Sequence, residues 1–192
     1  MLSQMVELSD AELVQAALAD AKAYGRLIGR HEAKLRRYVR RILAGQASAT
    51  DDVLQEVFIK AYLNLNDFDQ ARAFAPWLYR IAHNEAISSL RKLSSGIPMI
   101  SGDDAQFFLD QIADPDDPAS LYWKHRSFGQ LQKSLAALDE KYRDVLVLRY
   151  LENQSYDDIS EILRLPPGTV ATLIRRGLTR LRAIFETTGG KP

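Results

Sequence analysis

Apolar residues recur along this 192-residue chain at helical spacings, and no stretch alternates with the two-residue period of a strand. Leu13, Ala16 and Ala17 open the pattern, followed past Asp20 by Tyr24, Leu27 and Ile28. Leu35, Tyr38, Val39, Ile42 and Leu43 continue an apolar stripe, with Lys34, Arg36, Arg37, Arg40 and Arg41 on the remaining face. The pattern breaks from Gly45 to Ala49. Thr50 is then a candidate N-cap, with Asp51 and Asp52 near the positive end of the helix dipole. Val53, Leu54, Val57, Phe58, Ala61 and Leu65 make the next buried face. A polar turn from Asn66 to Arg72 leads into a helix from about Phe74 to Lys92, where Pro76 is tolerable only near the first turn.

Periodicity then lapses. Residues 94–118 hold two glycines and three prolines among acids, which predicts a linker with a short helix around Gln106 to Ile112. Helical patterning resumes near Ser120. Ser155 with Asp158 makes a capping-box start for a short helix ending near Leu163. Pro166 and Pro167 stop that helix and start the next, in which Val170, Ile174, Leu178 and Leu181 form one buried stripe. The prediction is an all-α fold of two small helical domains, residues 1–93 and 120–192, joined by a flexible acidic linker at 94–119. A short capped helix, a tight turn and a longer basic helix make the second domain a helix-turn-helix.

Composition narrows the reading. Apolar residues make up 46% of the chain, too many for global disorder. Without cysteine there are no disulfides, thiolate metal sites or cysteine nucleophiles. The first residues lack a basic region before a long apolar core, and no run approaches the roughly 18 apolar residues of a membrane span, so a soluble, cytoplasmic protein is expected. Net charge is zero, yet its distribution is uneven. Residues 1–93 carry 13 basic and 11 acidic side chains; residues 94–125 carry one lysine and six aspartates; residues 126–192 carry 11 basic and eight acidic. Two mildly basic modules thus flank an acidic connector, a pattern that suits a nucleic-acid partner.

The outward positions carry the candidate chemistry. On the last helix they are Thr169, Ala171, Thr172, Arg175, Arg176 and Thr179; arginine can pair bidentately with guanine, and a helix N-terminus can hold a phosphate. A hairpin with merely solvated arginines fits the same pattern. On the helix after Thr50, Asp52, Gln55, Glu56, Ile59 and Lys60 project outward, and an exposed isoleucine among polar neighbours suits a protein interface. On the helix from Phe74, the stripe Leu78/Ile81/Ala82/Leu90 leaves Tyr79, Arg80, His83, Asn84, Ile87 and Arg91 outward. Aromatic and arginine side chains can stack on unpaired bases, and asparagine can bond a base edge. Trp77 fits either the core or such a role. Catalysis finds no support: phosphate-binding and metalloprotease motifs are lacking, and His31, His83 and His125 lie far apart. The acid pairs Asp51/Asp52 and Asp157/Asp158 read as helix starts. No enzyme activity, cofactor or metal is expected.

Two runs make the reading specific. Leu138, Arg143, Val145, Leu146, Leu148, Arg149, Tyr150, Ser155, Tyr156, Ile159, Pro167, Gly168, Thr169, Val170 and Arg176 match the pattern of sigma region 4. Asp52, Gln55, Glu56, Phe58, Lys60, Ala61 and Tyr62, followed by Trp77, Leu78, Tyr79, Arg80, Ile81, Ala82, Asn84, Ala86 and Arg91, match region 2. Over about residues 10–93 and 120–185 the chain resembles bacterial sigma factors of the extracytoplasmic-function (ECF) group. It departs at Ala171, Thr172 and Leu173, where basic, serine and arginine residues are usual, and at Ser88, where aspartate is usual. The resemblance implies a protein that binds core RNA polymerase, directs it to promoters and melts the −10 region. It implies that Asp52, Gln55, Glu56, Ile59 and Lys60 dock on the clamp of the polymerase largest subunit. It assigns Asn66, Asp67, Phe68, Phe74, Trp77, Arg80, Asn84 and Arg91 to −10 DNA, the turn Asn66 to Phe74 pocketing a flipped base. It assigns Thr169, Ala171, Thr172, Arg175, Arg176 and Thr179 to the −35 element, and adds an anti-sigma factor as a candidate partner. The acidic linker would occupy a cationic channel of the polymerase. Two other readings stay open at this point: a stand-alone helix-turn-helix regulator dimerising through its N-terminal helices, and a protein-interaction adaptor.

Overall fold

Ser9 opens the first helix with a reciprocal cap: its Oγ accepts from the Glu12 amide, and the Glu12 carboxylate accepts from the Ser9 amide at 2.7 Å. The structure, a computed structural model, describes residues 8–43, 47–92, 102–112 and 128–188. Helix α1 (Asp10–Ala19) ends at Asp20, whose carboxylate caps the start of α2 (Ala21–Ile42). One aspartate thus serves two helices and sets the bend between them. The buried stripe of α2 runs through Leu27, Ile28, Leu35, Tyr38, Val39 and Ile42, as the periodicity predicts. Arg41 departs from that prediction: it is buried, not on the solvated basic face.

Helix α3 (Ala47–Leu63) begins before Thr50. Thr50 is therefore no N-cap but a buried residue inside the helix, and Asp51 and Asp52 lie beyond its first turn. A short 3-10 turn (Leu65–Asp67) and an irregular stretch lead to α4 (Phe74–Lys92), with Pro76 in the first turn where its missing amide costs nothing. Helices α2, α3 and α4 pack together, with α1 against α2.

Helix α5 (Gly102–Ile112) is longer than the short helix expected around Gln106. The rest of the 94–119 linker, and the resumption of helix near Ser120, lie outside the described residues. Helix α6 (Phe128–Ala137) and α7 (Glu140–Leu146) follow, α7 running on into a π-helical turn at Val147–Leu151. Helix α8 (Tyr156–Leu163) starts on the expected capping box, Ser155 with Asp158. It stops at Arg164, which takes the left-handed conformation (φ 54°) that glycine usually supplies. Helix α9 (Pro167–Thr188) then buries Val170, Ile174 and Leu181, with Leu178 half-buried. At Gly177 a Cβ would meet Leu146 at 3.3 Å, so α7 and α9 approach closely because that position has no side chain. Among the described residues no strand is present, and the buried side chains of both halves form one continuous apolar cluster. Helix α8 lies against α4, and α5 against the π-helical turn.

Candidate polymerase and nucleic-acid interfaces

Three surfaces carry the residues singled out above. On α3, burial of Val53, Leu54, Val57 and Ala61 turns Asp52, Gln55, Glu56, Ile59 and Lys60 to solvent, as expected. Lys60 is not free there: its Nζ lies 2.7 Å from the Glu85 carboxylate on α4. The apolar part of the surface extends well beyond Ile59. Tyr62 and Leu63 are exposed, Leu63 at 68%, and with Tyr24, Leu54, Gln55 and Ile59 they line a shallow groove of about 510 Å3. Tyr24 stacks edge-on against Tyr62 at 5.0 Å and donates its hydroxyl to the Phe58 carbonyl. Sequence reasoning missed Tyr24, Tyr62 and Leu63. Ile59, Tyr62 and Leu63 at intervals of three and one held the signal.

Around α4 the arrangement departs further from expectation. Phe68, Phe74 and Trp77 pack on one another, with ring centroids 5.1–5.6 Å apart, and all three are buried. They are core residues that shape the turn, so their rings are not presented for stacking on a base. What the turn exposes is Asn66, Asp67, Asp69, Gln70, Ala71, Arg72 and Ala73. Its shape is set by Asp69, whose carboxylate accepts from the Ala71 amide at 3.0 Å and pairs with Arg72.

Farther along α4, Asn84 and Arg91 are exposed as expected, and Arg80 is half-covered. Tyr79 and Ile87, expected outward, are buried. The reason is a second packed face. The Tyr79 hydroxyl donates to Glu152 at 2.9 Å, and Glu152 also receives the Arg41 guanidinium, which pairs in turn with Asp104 of α5. Burial pushes the Glu152 carboxyl up despite Arg41, and raises the Tyr79 hydroxyl far enough that it stays a donor. His83, also expected outward, is half-buried, with its Nδ1 hydrogen-bonded to the Tyr38 hydroxyl at 2.8 Å and its Nε2 3.9 Å from Asp144. Burial, with help from Arg91, lowers His83 to about 4, while burial raises Asp144 to about 7. The pair is therefore close to neutral near pH 6 instead of a full ion pair. Arg80 and Arg72 approach Glu161 at 3.6 and 3.8 Å.

On α9, Thr169, Ala171, Arg175, Arg176 and Thr179 are exposed and Thr172 is half-buried. The two threonines turn inward along the helix: Thr172 donates to the Gly168 carbonyl at 2.8 Å and Thr179 to that of Arg175 at 3.1 Å. Leu173 packs partly against the core, so of the two family cations this chain lacks, only the one at Ala171 would stand clear of the protein. Among the described residues no helix is long and apolar enough to cross a membrane.

Comparison with known proteins covers both halves. The family model described as Sigma-70 region 2 matches residues 27–95, and the one described as Sigma-70, region 4 matches residues 128–181. The chain is 34% identical to the ECF RNA polymerase sigma factor SigW of Bacillus subtilis (strain 168) over 172 residues, covering 88% of this chain and 91% of that protein. It is 33% identical to the ECF RNA polymerase sigma-E factor of Escherichia coli (strain K12) over 178 residues, with 88% and 91% covered. The solved structure of CnrH in complex with the cytosolic domain of CnrY is similar over 93% of this chain and 97% of that one, with a TM-score of 0.66 and 26% identity.

Proposed function

The chain belongs to the sigma-70 family, alongside its ECF members, and from that premise we propose that it binds core RNA polymerase, directs it to promoters and opens the −10 region. It catalyses no reaction itself; the polymerase supplies the chemistry. In this reading residues 1–93 bind polymerase and −10 DNA, residues 120–192 read the −35 element, and the acidic segment between them connects the two. The protein works in the cytoplasm, and an anti-sigma factor is a further partner.

One observation carries the polymerase assignment. Asp52, Gln55, Glu56 and Ile59 share an exposed face of α3 that borders an apolar groove, the combination a polar-rimmed, apolar-centred protein interface needs. A stand-alone regulator would account for α9 but gives that face no partner, and the region 2 match favours the sigma reading. On α4, Asn84, Arg80 and Arg91, with Asn66 and Asp67 of the turn, are the groups that hold unpaired −10 bases. Phe68, Phe74 and Trp77 act from beneath by fixing the turn. On α9, Arg175 and Arg176 reach the major groove, with Thr169, Ala171, Thr172 and Thr179 forming the surface around them.

Pull-down with purified core polymerase, followed by run-off transcription, tests the whole reading. Glu56→Lys should weaken core binding at least tenfold while leaving the helical circular dichroism unchanged, since Glu56 faces away from the packed side of α3. Wild-type affinity in Glu56→Lys and Gln55→Lys alike would remove this face from the polymerase interface.

A further inference from the structure

Helix α1 carries none of the interface residues singled out above, and it lies before residue 27, where the region 2 match begins. It is nonetheless firmly seated: Leu13, Val14 and Ala17 are buried. Besides α2, it touches α4 and the 3-10 turn at Leu65–Asp67.

Two of its polar side chains lead to the turn between α3 and α4. Asp10 holds two partners on α2: its Oδ1 accepts from Arg30 at 2.7 Å, and its Oδ2 lies 2.8 Å from Nε2 of the buried His31. A carboxylate only accepts, so Nε2 carries the proton and the bond fixes the rotation of the imidazole. Burial lowers His31 against the opposing pull of Asp10, so the ring is neutral at pH 7. It stands against Phe74, with centroids 5.6 Å apart and planes at 57°. Phe74 is the first residue of α4 and one of the three aromatics beneath the turn. The second link is direct, because the side-chain amides of Gln15 and Gln70 hydrogen-bond to each other.

The turn's own bonds are short in range. The Asp67 amide donates to the Asn64 carbonyl, the Phe68 amide to that of Leu65, and the Ala71 amide to the Asp69 carboxylate. These bonds set its curvature, while its height and tilt over α4 follow from what grips Phe74 and Gln70. We propose that α1 is a positioning element for the −10 turn, Asp10 acting through His31 and Phe74 and Gln15 through Gln70, to set where Asn66 and Asp67 meet an extruded base. This rests on the reading of the turn as a base pocket, and neither Asp10 nor Gln15 itself touches DNA. A hydrogen bond to a base edge is short and directional, so a shift of the turn by about 1 Å loses it and leaves the longer-range attraction of phosphates intact.

The test uses holoenzyme and the non-template −10 strand of a promoter that run-off transcription shows it to use. Making each −10 position abasic in turn locates the extruded base where wild-type affinity falls most, and the ratio of intact to abasic affinity measures its capture. Asp10→Ala should lower that ratio on the order of fivefold, what the loss of one hydrogen bond supplies, with affinity for the abasic strand unchanged. Asp10→Asn keeps an oxygen for His31 Nε2 and should restore the wild-type ratio. Gln15→Ala, at an exposed position that leaves the core intact, should lower the ratio about twofold. A role in stability alone scales both strands equally, so an equal loss on intact and abasic strands would overturn the positioning role. So would a wild-type ratio in both Asp10→Ala and Gln15→Ala, and the −10 reading would then stand on the wild type's own discrimination. An Asp10→Asn ratio as low as that of Asp10→Ala would overturn the route through His31. If no abasic position weakens wild-type binding, the reading of the turn as a base pocket fails and the positioning role falls with it.

Discussion

Asp144 and His83 oppose each other in their dependence on pH. The carboxyl of Asp144 is raised by burial from 3.8 to about 7, so its contribution to stability is complete below the unfolded value and is lost as pH rises through about 7. His83 is lowered by burial from 6.5 to about 4; its contribution is present above 6.5 and is lost as pH falls through about 4. Between pH 4 and 6.5 the two trends offset. Asp144→Asn removes one of them, so the variant should gain stability over wild type as pH rises from about 4 to 7, by on the order of 2–4 kcal/mol. Denaturant unfolding at several pH values measures this; a difference that stays flat would mean Asp144 titrates as an ordinary carboxylate. Asn84→Ala makes a different separation. Asn84 is exposed on α4, and alanine is the better helix former, so the fold and closed-complex formation should persist. Open-complex formation should fall several-fold and return on a pre-melted promoter, read by permanganate reactivity of unpaired thymines; equal reactivity on duplex templates would leave Asn84 without a melting role. Asn84 and Arg91 were legible in the sequence because they lie off both packed faces of α4 and stay exposed. Tyr79, His83 and Ile87 were not, because a single helix's periodicity shows one buried face and α4 has two.

Helix α9 was the most legible element, because its stripe, its proline start and the capping box before it are all local signals. Its DNA-facing side yields a graded expectation. Arg176→Ala should weaken promoter-duplex binding by about 1–3 kcal/mol and relax sequence preference if it contacts a base, or lower affinity uniformly with a shallower salt slope if it contacts phosphate. Fluorescence anisotropy on matched and scrambled duplexes at several salt concentrations separates the two outcomes. Ala171→Lys should raise affinity for all sequences. Leu173→Arg should not match it, because Leu173 is half-buried against the core and the new charge would have to leave that packing. Helix α3 was read less well at its start. Thr50 has the chemistry of a cap, but α3 already runs from Ala47, and burial of the threonine decides its role over its propensity.

At the scale of the whole molecule, the groups that join the two halves were the least legible, because they are far apart in sequence and polar. Arg41 falls within a run of basic residues that reads as a solvated face, yet its side chain is 8% exposed and lies between Asp104 and Glu152. Removing one member of a buried charged cluster leaves the others without compensation, at a cost of about 3–5 kcal/mol. Arg41→Ala should therefore uncouple the halves, and calorimetry should show two unfolding transitions where wild type shows one. A single, merely shifted transition would mean that the apolar contacts between the halves suffice to couple them. Arg41 and Glu152 are also separated by 111 residues. A ribosome adding roughly 5–20 residues per second delivers the second on the order of 6–20 s after the first. From the completion of α4 at Lys92 to the end of that interval, Arg41 and Tyr79 are both in the nascent chain without the carboxylate that receives them in the finished fold.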